Sequence, residues 1–274
     1  MENNANNSVE IYNDLTVILP TLNEENNIGK ILRKLTMQYT GCSVIVADDG
    51  SKDNTQQIVN KFRQKKSKIN VYLLDRSSKK PKGLTASVLD ALTLVKTKYF
   101  VVMDADLQHP IEKVREMVKK LREGTNLVIA RRDILTDFPL HRRFISKIAT
   151  TLAQFALSGR IRCSDPLSGF FGGKVDSLQR YFSDKDGFHQ EGFKVLFDLL
   201  KKLPPDFRFD EIGYKFGPRT SGKSKLGFKQ LFSFLFSLGF IEIILSPRFI
   251  KFAIVGCSGV AVNLGILYFL TEIM

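Results

Sequence analysis

Short uncharged runs rich in β-branched and aromatic residues alternate along this chain with stretches whose apolar residues recur at helical spacing. Leu15-Thr16-Val17-Ile18-Leu19-Pro20, Ser43-Val44-Ile45-Val46-Ala47, the run 69–74, Tyr99-Phe100-Val101-Val102-Met103 and Asn126-Leu127-Val128-Ile129-Ala130 read as strands. The stripe Ile28, Ile31, Leu32 and Leu35 predicts a helix entered through Asn23, a cap residue with acids behind it. Further helices are predicted after Asp53, over 84–95 and over 111–121, where Pro110 suits a first helical position. A later apolar helix runs up to Leu157, and an amphipathic one starts within 187–194. Residues 208–216 alternate again as a strand. Such alternation predicts an α/β fold, an open and mostly parallel sheet with helices on both faces. Ligands of these sheets lie outside the carboxyl ends of the strands.

The pattern changes after Gly217-Pro218-Arg219-Thr220-Ser221-Gly222-Lys223-Ser224-Lys225-Leu226, a glycine- and lysine-rich loop suited to closing over phosphates. Residues 228–246 are phenylalanine-rich and carry only Lys229 and Glu242, as an interfacial helix would. Residues 252–271 are uncharged and long enough to span a membrane. Cys257, Ala261 and Gly265 fall four apart there, a small-residue face for partner helices in the bilayer. Arg248 and Lys251 flank the span and put the main domain on the cytoplasmic side. The expected division is a loose polar leader over 1–13, a main domain over 14–226, an amphipathic interfacial helix over 227–247 and a transmembrane helix over 248–274. The leader has no apolar core and is not a signal peptide.

The 274 residues, 43% of them hydrophobic, suffice for one large domain and an appendage. Lys and Arg number 41 against 28 acids, a net charge of +13 that favours phosphate-rich partners or anionic membrane. The basic residues gather near the strand ends and the membrane flank and do not interleave with stacking aromatics, which speaks against nucleic acid. Cys42, Cys163 and Cys257 are scattered, with neither disulfide nor zinc spacing, as in a reducing compartment.

The chemistry sits at the strand ends. Asp104-Ala105-Asp106-Leu107-Gln108-His109-Pro110 follows the Tyr99 strand. Side chains two apart point the same way, so Asp104, Asp106 and the Gln108 amide oxygen offer hard donors suited to Mg²⁺ or Mn²⁺. Other strand ends carry Asn23-Glu24, Asp48-Asp49 and Arg131. Acids for a base, a ribose and a metal, beside cations for phosphate, make a nucleotide–metal site. His109 and His141 read as packing or capping residues.

Pro20-Thr21-Leu22-Asn23-Glu24, Ala47-Asp48-Asp49-Gly50-Ser51, Lys82-Gly83-Leu84, the Asp104–Pro110 segment and Asp165-Pro166-Leu167-Ser168-Gly169-Phe170-Phe171 together resemble glycosyltransferase family 2 with its GT-A fold. The likeness is strongest to the polyprenyl-phosphate sugar transferases, the dolichol-phosphate mannose synthases among them. Phe249-Ile250-Lys251-Phe252-Ala253-Ile254-Val255-Gly256 resembles the opening of a GtrA-like four-helix membrane domain, which leaves a truncated chain or partner helices from another chain as readings. The resemblance implies that Pro20, Asn23, Glu24, Asp48, Asp49, Gly83, Asp104 and Lys225 bind the nucleotide-sugar. It implies metal ligands Asp104, Asp106 and Gln108, and catalytic roles for Asp106, Arg131 and Arg219. Arg131, Arg142 and Ser146 would hold the acceptor's phosphate, the latter two on one helix face. The implied reaction is inverting, moving a hexose (mannose foremost) from a GDP-mannose or UDP-glucose type donor to dolichyl or undecaprenyl phosphate. Alternatives are a hydroxyl acceptor, for which Glu191 would be either a base or a helix-start residue, and a catalytically silent membrane adaptor. Processive synthases carry Gln-x-x-Arg-Trp, and this chain has no Trp.

Overall fold

A computed structural model describes residues 10–65, 67–134, 140–157, 160–192, 194–215, 217 and 247–273. The chain forms two units, Met1–Lys225 and Leu226–Met274. The first is built on β1 (Leu15–Thr21), α1 (Glu25–Gln38), β2 (Ser43–Asp48), α2 (Thr55–Gln64), β3 (Asn70–Asp75), α3 (Leu84–Leu92), β4 (Tyr99–Val102), α4 (Lys113–Arg122) and β5 (Leu127–Ile134). It continues through α5 (Leu140–Ala156), β6 (Phe171–Lys174), α6 (Val175–Ser183), α7 (Val195–Lys202) and β7 (Asp210–Lys215).

The strands form one sheet in the order β3-β2-β1-β4-β6-β5-β7. All neighbours are parallel except β6, which runs antiparallel to β4 and β5. Alternate residues serve the two faces, as the strand period requires. Val17, Leu19, Val44, Val46, Val101 and Val128 join Ile28, Leu32, Leu35, Val114 and Met117 in one core. On the opposite face Phe100 meets Phe182 of α6 edge-on at 5.8 Å.

Strand β6 and helix α6 are absent from the sequence reading. Gly172 and Gly173 conceal the strand, because glycine weakens strand propensity. Packing demands the small residue: a Cβ on Gly172 would lie 2.7 Å from the Phe100 carbonyl oxygen. The amphipathic helix expected to start within 187–194 begins at Val195 instead. The leader also ends earlier than expected. Ile11 bridges Thr40, and Tyr12 is fully buried, edge-on to Tyr39 at 4.9 Å. Residues 1–9 and the interfacial segment 227–246 lie outside the described residues.

In the second unit, α8 (Pro247–Tyr268) leads into a π-helical turn, Phe269–Ile273. Its window Ile254–Thr271 has a mean hydropathy of 1.8, long and apolar enough to cross a membrane. The side chains of Cys257, Ala261 and Gly265 lie outside the described residues.

Candidate active site

The register of β1, β2 and β3 lines up Thr21, Asp48 and Asp75 at one edge of the sheet. The loops that follow are laced together. The Asn23 N–H donates to Ser51 Oγ at 2.7 Å, and Asn23 Oδ1 accepts from the Lys52 N–H at 2.8 Å. Asn23 therefore bridges two loops rather than capping α1, whose cap position is Glu24. Asn23 adopts φ 53, a left-handed conformation that asparagine tolerates. Glu24 Oε2 accepts from Asn27 at 2.9 Å, and its N–H donates to Thr55 Oγ1. Pro20 is buried opposite Ala47.

Asp48 is completely buried and accepts from Thr21 Oγ1 (3.0 Å), the Gly50 and Ser51 N–H groups, the Ser51 hydroxyl and Gln56 Nε2 (2.8 Å). A nucleotide N–H reaching Asp48 must displace one of these donors. Asp49 is held by Arg76, a buried guanidinium that also binds Asp90, Ser87 and the Pro81 carbonyl. Burial raises the Asp49 carboxyl, against the pull of the Gly83 N–H and Arg76. That Gly83 N–H lies 2.7 Å from Asp49 Oδ2. Gly83 has φ 139, and a Cβ there would meet the Gln190 carbonyl oxygen at 2.8 Å, so only glycine fits.

Beyond β4 the chain turns through Asp104–Pro110, with Leu107 at φ 66. Asp106 is 5% exposed, and its Oδ1 accepts the Gln108 N–H at 3.1 Å. The Asp104 carboxylate is more open, at 36%. The Asp104 N–H donates to His109 Nδ1 at 3.0 Å, and His109 Nε2 stands 3.9 Å from Asp104 Oδ2. His109 stacks on Phe170 at 5.0 Å, and burial lowers its pKa, so the neutral ring acts as packing and backbone anchor. Gln108 Nε2 donates to the Gly217 carbonyl at 3.0 Å, which leaves the amide oxygen as its group for a cation. Among the described residues no three His, Cys, Asp or Glu side chains converge as a metal cage. Two carboxylates and an amide oxygen fit a hard divalent ion that shares its coordination with phosphate and water.

Arg131 and Arg132, adjacent on β5, face opposite ways. Arg131 is exposed and pairs with Asp133 at 2.8 Å, with Glu211 at 3.9 Å. Glu211 accepts from the Ser164 N–H, and the Ser164 carbonyl accepts from Gln154 of α5. Arg131 is thus linked to α5 only indirectly, through Glu211 and Ser164. Arg132 is largely buried, grips Asp165 and feels the charge of Asp104. Helix α5 carries Ser146, half-buried, and Arg142, whose side chain lies outside the described residues, as do His141, Arg219 and Lys225. Glu191 is exposed in a turn four residues before α7 and does not start a helix.

The sequence reading did not single out Arg76, Arg132 or Lys194. Lys194 is half-buried, and its Nζ donates to the Leu167 carbonyl at 2.9 Å. One signal was available for Arg132: Asp133 two residues after Arg131, against period-two alternation, assigns the neighbouring arginine to the other face.

A mostly parallel sheet with acids and guanidinium groups near its carboxyl edge is a GT-A architecture. The fold is shared with glucosyl-3-phosphoglycerate synthase from Mycobacterium tuberculosis, solved with Mn²⁺, uridine diphosphate and glucosyl-3-phosphoglycerate; the TM-score is 0.58 at 19% identity, over 82% of this chain and 80% of that one. The glycosyl transferase family 2 profile matches residues 16–182, and the chain belongs to that family. A dolichol-phosphate mannosyltransferase of Pyrococcus furiosus is 32% identical over 267 residues, 93% of this chain and 71% of the relative. Its namesake from Saccharomyces cerevisiae is 32% identical over 238 residues, 81% of this chain and 84% of the relative. This chain is a glycosyltransferase.

Proposed function

We propose that this glycosyltransferase moves mannose, with inversion, from a nucleoside-diphosphate sugar to a polyprenyl phosphate of the dolichyl or undecaprenyl type at a membrane surface. The observation that carries the reading is likeness, over most of the chain, to two proteins named dolichol-phosphate mannosyltransferase. The site is chemically compatible with it, since Asp104, one of the carboxylates assigned to the cation, lies within electrostatic reach of the largely buried Arg132.

Asp104, Asp106 and the Gln108 amide oxygen would hold a divalent cation, Mg²⁺ or Mn²⁺, which would supply neutralisation of charge on the departing diphosphate. The structural neighbour solved with Mn²⁺ and uridine diphosphate supports this choice. Pro20, Asn23, Glu24, Asp48, Asp49 and Gly83 line the nucleotide side. Arg219 and Lys225, which follow Gly217 in sequence, are assigned to neutralising the leaving diphosphate. An acceptor phosphate oxygen bonds to the anomeric carbon opposite the C–O bond that breaks, and the nucleoside diphosphate leaves with that electron pair. A phosphate monoester has a second pKa near ~6 and is already a dianion at neutral pH. No residue has to take a proton from it. Arg131, Arg142 and Ser146 supply its clamp.

Helix α8 anchors the chain in the bilayer, with Arg248 and Lys251 placing the catalytic unit on the cytoplasmic face. The test is a panel of nucleotide-sugars with polyprenyl phosphate vesicles, with and without Mn²⁺. Mannosyl-lipid formed from GDP-mannose in the presence of Mn²⁺ is expected. Transfer confined to sugar or protein hydroxyls would overturn the acceptor assignment.

A further inference from the structure

We infer that Lys194 is a positioning residue for the Asp104 carboxylate, acting through the loop Asp165–Phe170; the inference rests on the reading of Asp104 as a cation ligand. Lys194 immediately precedes α7; it is half-buried, and its ammonium lies within reach of a like charge, Arg132. Burial, then the Arg132 charge, lowers its pKa to about 8, with Asp165 and Asp104 pulling the other way. Keeping a cation inside a protein costs free energy, so its contacts identify what it serves.

Those contacts converge on one loop. Arg132 holds Asp165 through both carboxylate oxygens at 2.7 Å. Lys194 Nζ holds the Leu167 carbonyl at 2.9 Å. The Ser168 hydroxyl donates to the Ala130 carbonyl at 2.6 Å and accepts the Phe170 N–H at 3.1 Å. The loop is thereby fastened on both sides of Gly169. A Cβ on Gly169 would sit 3.1 Å from Asp104 Oδ2 and 3.3 Å from Oδ1. The Gly169 backbone is therefore one wall of the Asp104 carboxylate, and His109 provides a second contact to the same group. Groups that orient a liganding carboxylate govern metal affinity nearly as much as the ligand does.

The segment bearing Lys194 also reaches the nucleotide side. The Gln190 and Gly192 carbonyls accept the Ala86 and Thr85 N–H groups at the start of α3, just after Gly83 on Asp49. One stretch of chain thus keeps the Asp49–Gly83 contact and the Asp104 wall in register.

The experiment is Mn²⁺ binding to the full-length protein in detergent, read from the electron paramagnetic resonance signal of free Mn²⁺ in the presence of GDP or UDP. Lys194→Met removes the donor and keeps the volume, Lys194→Arg keeps a cationic donor, and Gly169→Ala displaces the carboxylate without touching Lys194. Lys194→Met and Gly169→Ala are expected to weaken Mn²⁺ binding by about 10–100-fold, with Lys194→Arg recovering most of the loss. A merely structural lysine would lower the melting temperature and leave the Mn²⁺ affinity alone. Wild-type Mn²⁺ affinity in folded Lys194→Met overturns the inference. If Lys194→Met does not fold, wild-type affinity in Gly169→Ala overturns it. A wild-type protein that binds no Mn²⁺ with either nucleotide overturns the cation reading of the site, and this inference with it.

Discussion

Arg132 on β5 and Asp165 on the loop before β6 form a two-bond ion pair, both bonds 2.7 Å long, with the carboxylate 6% and the guanidinium 18% exposed. The pair ties a parallel strand to the loop that enters the sheet's antiparallel strand. It also lays that loop beside Asp104. Burial works against ionisation of Asp165, but the Arg132 bonds and charge outweigh it and hold the carboxyl below its ordinary range.

A pH signature follows. The folded-state pKa of Asp165 is below the unfolded ~3.9, so its contribution is complete at neutral pH and is lost as pH falls through the folded value. Arg132→Met leaves a buried carboxylate without its partner, a loss of about 3–5 kcal/mol at neutral pH. In that variant burial, which raises the carboxyl, is opposed only by the residue-132 backbone N–H and the Lys194 charge, so the carboxyl titrates above its wild-type position. The deficit against wild type should then shrink steadily from about pH 7 to about pH 4, because protonation relieves the variant first. Urea titrations across that range measure it. A deficit constant with pH would mean that the pair is not what Arg132→Met disrupts.

Asp106 is the more buried of the two aspartates assigned to the cation, and its Oδ1 also accepts the Gln108 N–H. Asp106→Asn preserves shape and much of that hydrogen bonding while removing the charge. Turnover should fall by roughly 10³-fold, the scale of losing one electrostatic stabiliser, with an unchanged circular dichroism spectrum and melting temperature within a few degrees. Undiminished turnover, or full activity in excess chelator, would remove Asp106 from the metal site.

How far the chain could be read follows from where its partners sit. Strands β1, β2, β4 and the first half of β5 were legible because each has an uncharged apolar run whose meaning is local; β5 continues through Arg131, Arg132 and Asp133 beyond the run read from the sequence. Strand β6 was not, since its Gly172-Gly173 is required by the closeness of Phe100, far away in sequence, and of Leu178 on the unrecognised α6. The Asp104–Pro110 segment announced hard oxygen donors at a strand end, and the structure places them there. Asp48 and Asp49 were legible as acids at a strand end. Their partners Gln56 and Arg76 arrive from later elements. Arg76, Arg132 and Lys194 are three of 41 basic residues; only the alternation of Arg131 and Asp133 sets Arg132 apart, and nothing in the local sequence singles out Arg76 or Lys194. The α7 boundary was misplaced because Gln190 and Gly192 spend their carbonyls on α3 rather than on their own helix.

Gly172 gives a direct test of the hidden strand. It pairs with Val101 on one side and Val128 on the other, and an added methyl would meet the Phe100 carbonyl oxygen and Val101 Cγ2 within 2.8 Å. Backbone cannot give way as a side-chain tip can, so Gly172→Ala should lower stability by about 1–3 kcal/mol. Gly124→Ala is the contrasting control, with nothing near the added carbon but φ 113, so its cost comes from backbone conformation alone. Denaturant midpoints of the two variants compare a packing clash with conformational strain. A neutral Gly172→Ala would contradict the placement of β6 between β4 and β5.

The acceptor's chemistry separates the two readings of the transfer step. A phosphate dianion needs cations, whereas a hydroxyl needs a base. Arg131 and Arg142 are assigned to the clamp, with Arg132 behind Asp165 on the other face. Arg142→Ala and Arg131→Ala should each raise KM for polyprenyl phosphate by an amount equivalent to about 1.5–3 kcal/mol, with donor KM little changed. Glu191, exposed in a turn, should tolerate Gln with under a fewfold loss. The rate should decline as pH falls through the acceptor's own second pKa near ~6, because the monoanion is the poorer nucleophile. Initial rates with donor and acceptor varied separately, over that pH range, decide the matter. If Glu191→Gln abolished turnover while neither arginine variant moved the acceptor KM, the acceptor would be a hydroxyl, with Glu191 as the base that takes its proton.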